Sequence, residues 1–388
     1  MNLIVYRIVW ILLIGLSILS SCSQSADFNE SIYNLDMRSI TNQQTEPFLL
    51  SDLAGDISYI PLETNDSCLL NRIAKVRIVN DNVFISDGTN LFQFALTGKF
   101  IRQIGRVGRG PGEHGRQISF AVDDVRREIY IFSTNIMNVY DLESGMYKRR
   151  FLISQDISDF YILPQGKIIL FTYELPAEVI VSSICEVYLA DLDGELVDSV
   201  PNYSRLNIKS NSRGYATTYE SDNNEIRYLF NFRDTLYTIT ADFERSPYAV
   251  FKLDNKISRD NLIIEPVYDE IQHPDFLWIP GILENDQYLF ITAEKGRALM
   301  IAPTNYHIVF HKESGRAYST SGIKNDIDGG LTFWPRYIFD DRLISHHLPT
   351  EFIDHYHATG ETVDHSEDYL LLVNSLDEND NPVLVIIE

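Results

Sequence analysis

The chain has 388 residues, 45% hydrophobic and 22% charged, with 55 acidic against 32 basic side chains and a net charge of −23. That balance excludes nucleic acid and anionic lipid headgroups as partners, because an acidic surface repels both. Three cysteines with no C-x-x-C or Cys/His spacing exclude a zinc motif, and the length is ample for a buried core.

Arg7 is followed by an apolar run over residues 8–19, too short to span a bilayer with ease. The run ends in Leu19-Ser20-Ser21-Cys22. Small residues before a cysteine in that setting resemble the lipobox of bacterial lipoproteins. The resemblance implies a signal peptide over 1–21 and a lipid on Cys22, the only membrane attachment. An ordinary signal peptide with an incidental cysteine is the other reading. Residues 22–47 are polar and read as a flexible tether.

From residue 48 onward the pattern is β. Tyr (22) and Phe (21) are abundant, and both suit pleated surfaces. Short apolar runs are punctuated by Asn, Asp and Gly. Strands over 73–79, 83–86, 91–95 and 99–104 make one four-stranded antiparallel unit of a β-propeller. Strands over 118–122, 128–132, 137–141 and 147–153 repeat it. Longer units follow near 159–200, 215–253 and 276–310, with a short helix expected within 254–274. A sixth unit holds strands over 331–339 and 342–347 and a closing pair over 369–375 and 382–387. The run 57–63 has no local partner, so it is expected to close the ring beside the C-terminal strands, with Pro61 on the outer strand. The fold class is all-β, a six-bladed propeller over 48–388. Seven blades, or a sandwich, are the alternatives.

The stretch Gly98-Lys-Phe-Ile-Arg-Gln-Ile-Gly-Arg-Val-Gly-Arg-Gly-Pro-Gly-Glu113 resembles the signature of the six-bladed propeller lipoproteins of Bacteroidota, and the blade linker of NHL-repeat proteins. Leu53–Thr64, ending Ile-Pro-Leu-Glu-Thr, resembles their opening strand, and Asn325-Asp-Ile-Asp-Gly-Gly-Leu-Thr-Phe-Trp-Pro335 a late motif. The resemblance implies a lipid-anchored outer-membrane protein, often at the cell face. It implies no catalytic residues.

The residues themselves suggest few sites. Arg106, Arg109 and Arg116 among five glycines suit an anion cradle; the same glycines suit a tight blade crossover with Arg109 paired to Glu113. Tyr215, Trp278, Phe333, Trp334 and Arg336 stand near the starts of innermost strands. There they either rim an axial funnel or wedge between blades. If the three loop arginines share that funnel with Trp334 and Arg336, the well suits an acidic sugar or a peptide carboxylate. Eight of the nine histidines fall in the C-terminal third and read as solvated, His355-Tyr-His357 on a loop or edge strand. Asp326 and Asp328 are weak calcium candidates; no metal and no cofactor is expected. Cys68 and Cys185 are either a disulfide or two buried thiols.

Two function classes stay open. One is a non-catalytic binding module for a glycan, a peptide or a partner such as an outer-membrane transporter, with a link to nutrient uptake. The other is a propeller enzyme, a lyase or hydrolase with a funnel site. Convergent carboxylates or histidines on the inner strands would favour the enzyme; an aromatic, Arg-rimmed funnel without them would favour the binder.

Overall fold

A computed structural model describes residues 32–173, 185–202, 215–221, 225–230, 233–253, 277–296, 304–339 and 341–388. Cys22, the signal segment and the helix expected within 254–274 lie outside them. Six four-stranded antiparallel sheets form a ring, a six-bladed β-propeller. Blade 1 is Lys75–Val79, Asn82–Ser86, Leu91–Ala95 and Phe100–Ile104, and blade 2 is Ser119–Asp123, Glu128–Ser133, Ile136–Asp141 and Tyr147–Leu152. Blade 3 is Ile157–Leu163, Lys167–Thr172, Cys185–Asp191 and Leu196–Pro201, and blade 4 is Ala216–Glu220, Ile226–Phe230, Thr235–Ile239 and Arg245–Lys252. Blade 5 runs Leu277–Glu284, Tyr288–Lys295, Thr304–His311 and Arg316–Thr320, one strand beyond the 310 boundary expected. The first strand of each blade is innermost, and these six strands neighbour one another in turn around the axis.

The strands are buried between blades rather than within them. Six apolar clusters lie at the six blade interfaces. Between blades 1 and 2, for example, Phe84, Leu91 and Ile104 meet Phe120, Ile129 and Tyr140. Period-2 alternation places one such row on each face of every strand, so each sheet is apolar on both faces. Cys68 and Cys185 are free and buried, one before blade 1 and the other in the third strand of blade 3.

Closure uses both ends of the chain. Ile57–Pro61 pairs antiparallel with Val383–Ile387, from Ile57 opposite Ile387 to Pro61 opposite Val383. It is the outer strand of blade 6, after Tyr337–Phe339, Arg342–His347 and Val383–Ile387. Gly98 of the blade 1 turn has φ +84°, and a Cβ there would collide with the carbonyl oxygen of Pro61. The turn therefore docks onto the closing strand only as glycine. Asn381, buried, clasps the segment that follows. Its Nδ2 donates to the carbonyls of Glu63 (2.7 Å) and Cys68 (2.9 Å), and its Oδ1 accepts from Leu70 N (2.8 Å). Asn381→Ala leaves those groups unpaired, so we expect a loss of about 2–4 kcal/mol in urea unfolding. A loss below about 0.5 kcal/mol, the surface-substitution range, would show that the clasp does not hold the ring.

Three expectations need correction. The tether read over 22–47 is structured from Tyr33: Tyr33–Asp36 adds a parallel fifth strand to blade 4, and helix α1 (Met37–Thr41) follows. Leu35, Met37 and Ile40 are buried between blades 4 and 5, and Tyr33 packs edge-on against Tyr248 and Phe310. Short apolar alternation among polar residues anchors this wrap, which continues through Phe48–Leu49 beside Ile323–Lys324. Residues 369–375, expected as a strand, lie in helix α3 (Glu367–Ser375). Ser366 caps it, Glu367 and Asp368 occupy its first turn, and Tyr369, Leu372 and Val373 bury at helical spacing. His355 and His357 sit in helix α2 (Pro349–Thr359), led by Pro349.

Candidate functional site

The ring surrounds an axial cavity of about 570 Å³, bordered by residues of all six blades. Alternate residues of the inner strands supply much of its wall: Lys75 and Arg77, Asp159 and Tyr161, Thr218 and Glu220, Tyr337 and Phe339, with Ala121 from blade 2. The residues between them, such as Val76, Phe120, Phe160 and Tyr219, are buried. This is the period of two again, with the axis replacing solvent as the polar side.

Asp159 is the hub. Its Oδ1 accepts from Lys75 Nζ (2.8 Å) and Ser119 Oγ (2.8 Å), and its Oδ2 accepts from Thr218 Oγ1 (3.0 Å). The Tyr161 hydroxyl donates to Thr218 Oγ1 at 3.1 Å. Blades 1 to 4 are thus tied at the axis through one carboxylate. Burial opposes its charge, but Lys75 and the hydrogen bonds from Lys75 and Ser119 outweigh burial and hold the carboxyl below its ordinary range. Burial, and then Asp159, push the Tyr161 phenol well up. A second pair, Arg77 Nη1 to Glu220 Oε2 at 2.8 Å, joins blades 1 and 4, with Arg77 5.1 Å from the Phe339 ring centre.

Of the residues singled out in the sequence, Tyr215 and Arg336 border this cavity, and Tyr215 is 45% exposed. The others do not. Arg106, Arg109 and Arg116 are exposed on the linker between blades 1 and 2. That linker lies against the third strand of blade 2, where Asn138 Nδ2 donates to the Glu113 carbonyl (3.2 Å) and the Tyr140 hydroxyl to that of Gly112 (3.2 Å). The anion cradle is real but already filled. Glu113 Oε2 accepts from the backbone N–H groups of Arg109 and Gly110, both at 2.8 Å, and Arg106 Nε donates to Oε1 at 2.9 Å. Those bonds hold the Glu113 carboxyl below its usual range. Arg109 therefore meets Glu113 through its backbone, and no funnel is shared with Arg336.

Trp278 and Phe333 are buried. Trp334 donates its indole N–H to Thr292 Oγ1 (3.0 Å) and stacks on His307, ring centres 4.2 Å apart. These three rings pack in the protein interior, while the rings at the axis are Tyr161, Tyr215, Tyr337 and Phe339. The carboxylates of Asp326 and Asp328 are spent on the fold. Asp326 accepts from Ser51 N (3.1 Å) and Oγ (2.7 Å); Asp328 accepts from the Tyr59 hydroxyl (2.7 Å), Asn325 Nδ2 (2.6 Å) and Gly330 N (2.9 Å). Among the described residues, no three His, Cys, Asp or Glu side chains are grouped to hold a metal. Several histidines expected in solvent are packed: His346 on Tyr337, and His365 on Tyr369 at 5.1 Å. Sequence reasoning missed Lys75, Arg77, Asp159, Thr218 and Glu220. The signal was a polar i, i+2 pair in the first strand of a blade.

A family model described as a domain of unknown function, DUF4934, matches residues 32–388. No curated protein matches the chain. Among solved structures, a Bacteroides fragilis protein assigned to export is 18% identical, with a TM-score of 0.67 over 92% of this chain and 99% of that one. A DUF4221 family member from Bacteroides vulgatus is 11% identical, with a TM-score of 0.45 over 86% and 96% of the two chains. Virginiamycin B lyase from Staphylococcus aureus is 10% identical, with a TM-score of 0.38 over 69% and 89%. The first shares the fold; likeness at the level of the other two carries no argument about activity.

Proposed function

The chain belongs to the DUF4934 family, and we propose that it is an exported, non-catalytic binding module whose ligand site is the axial cavity. The observation that carries this reading is the preorganised network at the axis. Charged, hydroxyl and aromatic groups from different blades converge there on a rigid scaffold, as a polar small-molecule site requires. Inner-strand carboxylates do converge, which is the feature expected of an enzyme. Both oxygens of Asp159 are engaged, however, and its proton affinity is low, whereas a general acid or base needs a pKa near the working pH. The ligand is a glycan or a peptide, and a partner such as an outer-membrane transporter remains part of the proposal. A thermal-shift panel of oligosaccharides and short peptides tests it. A ligand found there should lose about tenfold or more in affinity on Tyr215→Ala, the loss of a stacking anchor. Binding indifferent to both Tyr215→Ala and Lys75→Ala would place the site elsewhere.

Export and anchoring complete the proposal. The B. fragilis structure supports export, and Leu19-Ser20-Ser21-Cys22 supports a lipid on Cys22 at the outer membrane, with the cell surface favoured. Among the described residues no helix is long and apolar enough to cross a membrane. Cys22→Ala should release the processed protein from the membrane fraction or block its maturation. A fully processed variant that stays in that fraction would overturn the anchor.

A further inference from the structure

We propose that the axial ligand carries a carboxylate and is held by Arg336 at the mouth of the cavity, an inference that rests on the axial cavity being the binding site. Three cations border the cavity: Lys75, Arg77 and Arg336. Two are matched one for one, Lys75 by Asp159 at 2.8 Å and Arg77 by Glu220 at 2.8 Å. Two further bordering carboxylates are answered from outside the axis, Asp123 by Arg126 (2.8 Å) and Glu284 by Arg227 (3.2 Å) and Lys312 (2.9 Å), and the fifth, Asp124, is exposed just past the end of the inner strand of blade 2. Arg336 alone of the three cations has no side-chain partner among the described residues, and it is exposed at the start of the inner strand of blade 6.

The surroundings of Arg336 compensate that charge only in part: the Glu351 carboxylate feels the guanidinium but makes no hydrogen bond to it among the described residues. Glu351, a neighbouring carboxylate, is taken by Leu348 N (2.7 Å) and His347 Nδ1 (3.4 Å). The two imidazoles that feel Arg336, His307 and His346, are both neutral at pH 7. Burial first, and the guanidinium among the other causes, holds His307 below its usual range and pushes His346 down to about 4. A full positive charge thus persists at one mouth of the axis in a chain of net charge −23. A planar guanidinium there offers paired N–H donors that match a carboxylate, and the rings of Tyr215 and Tyr337 border the same cavity for the body of the ligand. The chemistry is a carboxylate on a small polar body, from either a uronate sugar or a peptide C terminus.

The test is calorimetry on the full chain in detergent with four probes: digalacturonate and its neutral parent disaccharide, and N-acetyl-trialanine and its uncharged C-terminal amide. At least one acid should bind about tenfold or more tightly than its neutral counterpart, as expected for a charge-assisted contact. Arg336→Ala should erase that difference, Arg336→Lys should keep part of it, and added salt should weaken only the acid. Equal binding of acid and neutral forms, or a difference that survives Arg336→Ala, overturns the inference. If Tyr215→Ala still weakens both forms, the axial site itself stands. Failure of both acids to bind also overturns the inference, while the wider ligand panel decides the axial site independently.

Discussion

Deleting residues 48–64 is expected to leave the chain unable to keep a monomeric ring. The segment holds Phe48, Leu50, Ile60 and Leu62, each less than a tenth exposed, in the clusters joining blade 6 to its two neighbours. Each such side chain contributes about 1.5–3 kcal/mol on burial. Together they stabilise the ring by about as much as the whole net stability of a typical domain, ~5–15 kcal/mol. The deletion also removes the Tyr59 hydroxyl from Asp328 and uncovers Val383–Ile387, a five-residue run of Val, Leu and Ile, as an open edge. Such an edge pairs with other chains. Size-exclusion chromatography should show aggregate. The double variant Ile60→Ala/Leu62→Ala keeps the strand and should lose about 4–8 kcal/mol. A deleted chain that runs as a monomer and melts with the wild type would show that the ring closes without this strand.

The sequence made the ring legible because its punctuation is local. Blades 1 and 2 are divided by Asn80-Asp81-Asn82, Thr97-Gly98 and Ser144-Gly145, and the alternation between those turns marks each strand. The Gly-Arg loop shows the limit of the same approach. Its composition suits an anion, and the anion is its own Glu113, three and four residues from the backbone N–H groups it fills. The axial network is harder to see. Lys75 and Asp159 are 84 residues apart, and only the ring brings them to 2.8 Å. What was available is the form of the inner strands, Lys75-Val-Arg77 or Asp159-Phe-Tyr161, polar and apolar in turn. Helix α3 was misread for a physical reason too: Leu370 to Val373 is an apolar run, and periodicity cannot separate a short buried strand from a helix turn. Its Ser366 cap and two acidic residues were the better guide.

Glu284→Ala should cost about 3–5 kcal/mol, the range for removing one partner of a buried charge pair. The Glu284 side chain is 3% exposed and ends the inner strand of blade 5. Its Oε1 faces Arg227 Nε of blade 4 at 3.2 Å. Its Oε2 accepts from Lys312 Nζ (2.9 Å) and the Tyr248 hydroxyl (2.7 Å), and the Arg227 guanidinium lies 3.9 Å from the Tyr248 ring centre. Without the carboxylate, Lys312 and the Tyr248 hydroxyl lose their acceptor inside the interface. Arg227, 5% exposed, keeps Glu225 (2.7 Å) as its one charged partner among the described residues. The exposed pair Arg127–Glu143, at 56% and 80%, is the control, and Arg127→Ala should cost about 0–1 kcal/mol. Replacing Arg227 as well, as Glu284→Leu/Arg227→Met, should recover only the part of the loss that comes from orphaned Arg227, because Lys312 and the Tyr248 hydroxyl still lack their acceptor. Urea unfolding of the three variants decides it. If Glu284→Ala costs no more than Arg127→Ala, water reaches the interface between blades 4 and 5, and the charge there is not buried in solution.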